Sequence, residues 1–137
     1  MKYFVLIFVV FLCVSSCSTD DATTFYFDFV AVDNVSEIPE AFVLNQPDTL
    51  QISYLRPSSC HGFDGFDIEK DGDIREITII NKVVEQSNGC PDLVNDVRTA
   101  PLVFNPEEVG EVTLKFFNGE DVNGNPIFLT FNVPIIE

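Results

Sequence analysis

The sequence predicts an all-β chain, a sandwich of two packed sheets built from about seven short strands. Three observations carry this. Apolar and polar residues alternate with a period of two over most of the chain after residue 23, no stretch sustains a helical period, and Pro, Gly and Asn-Gly signals break the alternation at short intervals. Several short alternating runs within about 110 residues fit a sandwich better than any layered α/β arrangement.

Phe25, Phe27, Phe29 and Ala31 share one face of the first predicted strand. "VSEIPEAFVLNQPD", Val35 to Asp48, reads as a crossing segment with a short strand at Ala41 to Leu44. Leu50, Ile52 and Tyr54 line a face of the next strand, between Pro47 and Pro57. A long strand follows the acidic stretch. Either Ile77, Ile79 and Val83 or Ile74, Ile80 and Val84 form its buried face, and periodicity alone leaves both open. Leu102 and Phe104 mark a short strand, and Val112, Leu114 and Phe116 alternate with Glu111, Thr113 and Lys115. "NGEDVNGNP" then turns the chain into Ile127, Leu129, Phe131, Val133 and Ile135, which predicts a closing hairpin. Pro134 lacks a ladder donor, so the end of this last strand should lie at an edge or pair only on one side.

The N-terminus has another logic. Met1 and Lys2 precede "FVLIFVVFLCV", Phe4 to Val14, an uncharged apolar run too short for the roughly 20 residues that a spanning helix needs. It suits the core of a secretory signal. Ser15 and Ser16 stand before Cys17, and "VSSC" resembles the lipobox of bacterial lipoproteins. That resemblance implies cleavage after residue 16, acylation of Cys17, and a membrane partner reached through the lipid. "STDD" after Cys17 resembles the acidic tag of surface-exposed Bacteroidota lipoproteins, so the expected location is the outer membrane, facing outward. The expected organisation is a signal peptide over 1–16, a lipidated tether over 17–23 and one sandwich domain over 24–137.

Loss of Lys2 with the leader leaves six Lys and Arg against 22 Asp and Glu, a formal charge of −16. Such a charge repels phosphate backbones, which excludes nucleic acid as an expected partner. Cys60 and Cys90 are the cysteines left for the domain, and an exported chain meets an oxidising compartment, so a disulfide between them is expected. Structural zinc would need a fourth N or S ligand beyond these two and His61, the sole histidine.

"RPSSCHGFDGFD", Arg56 to Asp67, reads as a long loop stapled by that disulfide, and Arg56, His61, Phe63 and Phe66 are its candidate contact residues for a protein or glycan ligand. The competing reading of Phe63 and Phe66 is that both rings cap the core. Asp67, Glu69 and Asp71 fall at the first, third and fifth offsets of a calcium loop, with Gly72 at the sixth and Asp73 following. Thr78 stands at the twelfth, where a bidentate Glu belongs, so the only cofactor expected is a weakly held calcium ion. The alternative is a hairpin turn at Lys70–Asp73.

No Gly-x-Ser-x-Gly elbow, second histidine or free cysteine beside a base occurs in the domain, so no enzyme is expected. In pattern, the chain is similar to small Bacteroidota lipoproteins with immunoglobulin-like or fibronectin-III-like domains, though it has no Trp to fill an antibody-type core. The resemblance implies a surface binding or adhesion module. An envelope component using a sheet edge or the face bearing Phe117 and Phe128, or an inhibitor of a cationic hydrolase, are the other functions it accommodates.

Overall fold

The computed structural model describes residues 24–137, so the expected signal peptide over 1–16, the expected tether over 17–23 and the expected acylation at Cys17 lie outside the described residues. Nine strands run in order: β1 (Phe25–Val30), β2 (Val32–Ser36), β3 (Phe42–Val43), β4 (Asp48–Leu55), β5 (His61–Asp71), β6 (Ile74–Val84), β7 (Val97–Phe104), β8 (Gly110–Glu120) and β9 (Pro126–Ile136). They form a six-stranded sheet and a three-stranded sheet, β2-β4-β7. The expected all-β sandwich is therefore the fold, with two more strands than the sequence pattern resolves: β2 is short and follows β1 with one residue between them, and β5 occupies a stretch read as loop.

In the larger sheet β6 is the axis. One side carries β5 antiparallel along nearly its whole length. The other is shared: β1 pairs antiparallel with Ile79–Val84, and β8 pairs parallel with Ile74–Ile77. The hairpin expected at the C-terminal end is β8–β9, antiparallel, and β3 adds a short parallel pairing to Ile135 and Ile136, just past Pro134.

Register decides which faces are buried. Leu50, Ile52 and Tyr54 of β4 point inward, as do Ile77, Ile79 and Val83 of β6 and Val112, Leu114 and Phe116 of β8. That settles the two faces left open for the long strand, because Ile74, Ile80 and Val84 fall on the other side. It also reverses the expectation for β1. Val30 sits opposite Ile79 in the core, so Phe25, Phe27 and Phe29 turn outward. Periodicity assigned their common face correctly and could not tell its direction, since both faces of "FYFDFV" carry large apolar residues.

At Ala31 the chain leaves one sheet and enters the other, so β1 and β2 together clasp the sandwich. The crossing is held by Asn118, whose Nδ2 donates to the Val32 carbonyl at 2.6 Å. Gly119 beside it adopts φ +106 where the β8–β9 register shifts, and a Cβ there would lie 3.9 Å from that of Ala31. Glycine therefore serves a bulge.

The registers also define two ends. At one, Phe25 meets Val84, His61 meets Val83 and Leu55 meets Val97. At the other lie the β5–β6 turn, Phe104, Gly110 and Ile136. The chain enters from residue 24 at the first end, where the Glu85 amide donates to the Thr24 carbonyl at 3.0 Å.

Candidate functional site

The first end is closed by a disulfide between Cys60 and Cys90, the pairing expected from the cysteine count. Around it the segment from Arg56 to Cys60 is bonded to the segment from Pro91 to Asp96. Ser59 donates its amide to the Pro91 carbonyl, Leu93 to that of Pro57, and Arg56 to that of Asp96. The Asp96 Oδ2 atom also accepts Arg56 Nε at 2.7 Å and Arg98 Nη2 at 3.2 Å. Those hydrogen bonds, Arg56 first and Arg98 second, hold its carboxyl below the usual carboxylate range.

The structure revises the contact loop expected here. Only Arg56 to Cys60 is loop; His61 opens β5, and Phe63 and Phe66 are strand residues on the inward face. Phe66 packs on the core, and Phe63 lies 5.2 Å from its ring and 6.4 Å from that of Tyr54. Both rings cap the open side between the sheets. Arg56 is committed to Asp96, and His61 is buried. Phe63 nevertheless stays 42% exposed.

His61 joins two residues that the sequence did not single out. Its Nδ1 lies 2.7 Å from Ser58 Oγ and its Nε2 3.1 Å from Asp28 Oδ2, while the Cys60 amide donates to Ser58 Oγ at 3.2 Å. One arrangement that satisfies all three groups has Nε2–H donating to the carboxylate and the Ser58 hydroxyl donating to Nδ1.

Ser, His and Asp are the residue types of a hydrolase relay. Here Ser58 is buried, and its oxygen accepts an amide. The neighbouring amides of Ser59 and His61 bond to the carbonyls of Pro91 and Ser58. The geometry fastens β1 to the stapled end. Nothing in sequence brings Asp28 to His61, because they are 33 positions apart.

Asp67, Glu69 and Asp71 do not converge. They occupy alternate positions of β5, so they form a row along an extended strand, whereas calcium requires a loop that wraps the ion. The turn is the pair Gly72–Asp73 between partners Asp71 and Ile74, with Gly72 at φ +56. A two-residue hairpin with glycine first needs that conformation. Among the described residues, no three His, Cys, Asp or Glu side chains gather as a metal site.

The far end holds an open cleft of about 220 Å³ between the β5–β6 hairpin and the 105–109 loop. Ile68, Ile77, Leu102 and Phe104 supply its apolar wall; Lys70, Arg75, Glu107, Glu108 and Glu111 supply charge. Lys70 Nζ reaches Glu107 Oε2 across it at 3.7 Å, and Arg75 is tied to the hairpin through the Gly72 and Ile74 carbonyls. An apolar floor with a few charged groups is the usual composition of a binding cleft. Sequence could not show it, since its walls come from four separate segments. Comparison with family models, with characterised proteins and with solved structures finds no match.

Proposed function

We propose that this chain is a lipid-anchored, non-catalytic binding module of the bacterial envelope, and that it offers its far-end cleft to a protein or glycan ligand. One observation carries the reading. The chain enters the sandwich at the stapled end, beside Glu85, while the cleft opens at the opposite end, beyond the β5–β6 turn. An anchor at Cys17 would therefore hold the stapled end near the membrane and leave the cleft outward. The Ser58–His61–Asp28 network, buried at Ser58 and His61 and open to solvent at Asp28, supports a structural task through its link between β1 and the stapled end.

The test is exposure on intact cells. A membrane-impermeant amine-reactive biotin should label Lys70, which stands at the rim of the cleft and is 56% exposed. Protease shaving of the same cells should remove the band on a blot while a periplasmic control survives. If Lys70 stays unlabelled until the outer membrane is permeabilised, outward presentation is wrong and the domain serves inside the envelope.

A further inference from the structure

The outer face of the six-stranded sheet is divided in two. Toward the stapled end it is aromatic: Phe25, Phe27 and Phe29 are 48%, 54% and 59% exposed. By register, Ile80 and Val84 of β6 stand beside them. Phe117 and Phe128 continue the patch as an edge-to-face pair with centroids 6.4 Å apart. Cations stand among these rings. Lys82 Nζ lies 4.1 Å from the Phe25 centroid and Lys115 Nζ 5.2 Å from that of Phe128, the latter also ion-paired to Glu76 Oε1 at 2.9 Å where the aromatic half meets the acidic one. Toward the far end the same face bears Asp67, Glu69 and Asp71 of β5 and Glu76 of β6.

We infer that the aromatic half lies in the interfacial layer of the bilayer, with the acidic half tilted away. The inference rests on the anchoring reading of Cys17. Thr24 is seven residues on from Cys17, a reach of at most about 25 Å when fully extended. The rings begin at the next residue, so the patch is held within a small domain's width of the lipid. Its composition suits that layer, where aromatic rings partition and lysine stems lie along apolar surface with the ammonium in the headgroups. A second copy fits less well. Each mature chain carries a formal charge of −16, so pairing would press like charges together, as would an anionic bilayer, whereas a zwitterionic lipid surface has no net charge to oppose it.

The chain contains no Trp, so one introduced indole is a unique reporter. The full lipidated chain, carrying Phe27→Trp, is placed in phosphatidylcholine vesicles with brominated acyl chains. At least a twofold loss of emission against unbrominated vesicles is expected. Val103→Trp, at an exposed position on the opposite sheet, should keep its emission. Equal emission from Phe27→Trp in both vesicle types, with the protein floating alongside the lipid, overturns the inference and leaves the anchor standing. Failure to float overturns the anchoring reading and this inference with it. An emission that ignores bromine but shifts with protein concentration assigns the face to a second copy and equally overturns the proposal.

Discussion

His61 shows how one side chain can tie segments that the sequence keeps apart. Its two nitrogens link β1, through Asp28, to the stapled loop, through Ser58. His61→Ala removes both bonds at once and leaves a buried hydroxyl without its acceptor. The expected cost is about 1 to 3 kcal/mol, read as a lower urea midpoint at unchanged slope. Asn81 is the opposite case. It faces inward on β6 with its side chain wholly buried, and neither Nδ2 nor Oδ1 has a hydrogen-bond partner among the described residues. Because that desolvation is uncompensated, Asn81→Leu should raise stability by roughly 1 kcal/mol or more. A lower urea midpoint would show instead that the amide bonds a buried water. Neither feature was legible beforehand. A histidine beside a cysteine and an asparagine inside an apolar run look alike whether they face a loop, a core or solvent.

Hairpins were the most legible elements because they announce themselves locally. The "EDVNGN" stretch turns because Asp121 organises it: its Oδ1 accepts the amides of Asn123 and Asn125, and its Oδ2 accepts Asn125 Nδ2. These bonds, with the Asn125 side chain contributing most, hold the Asp121 carboxyl below its ordinary value of 3.8. A depressed pKa gives stability that is present above about pH 4 and lost as acid titrates the folded carboxylate. Asp121→Ala should therefore lower Tm at pH 7 and flatten the fall of Tm between pH 4 and pH 2; a parallel fall in both proteins would contradict the assignment. Edges were less legible. β7 carries Pro101 and β5 a bulge between Phe63 and Gly65 with acids beyond it, features that blunt strand addition. Those residues are plain in the sequence, but that they guard edges depends on strand order, which no local pattern contains.

For the molecule as a whole, the sandwich followed from alternation and the disulfide from counting cysteines, because both arguments are insensitive to topology. The direction of β1, the shared side of β6 and the far-end cleft depend on which strands meet, so they waited for the structure. Reduction of Cys60–Cys90, which are 30 residues apart, should cost about 3 to 4 kcal/mol on the chain-entropy model. Urea unfolding with and without reductant measures it, and an unchanged midpoint would mean that the hydrogen-bonded loops hold that end unaided. The full sequence has a formal charge of −15. Self-repulsion of that size is screened by salt, so Tm should rise between low and physiological ionic strength.

The pairing of β1 with β6 has a mechanical consequence. A ligand held at the β5–β6 hairpin and an anchor pulling from residue 24 would draw these two strands along their lengths in opposite directions. The ladder bonds of an antiparallel pair lie across the strand axis, so such a load falls on all six pairs together instead of opening them one at a time. The clasp of Asn118 on Val32 adds resistance where β1 ends, and the disulfide lies off the line of force. A domain tethered in this way resists being torn from its anchor by shear, the loading geometry in which a short strand is strongest.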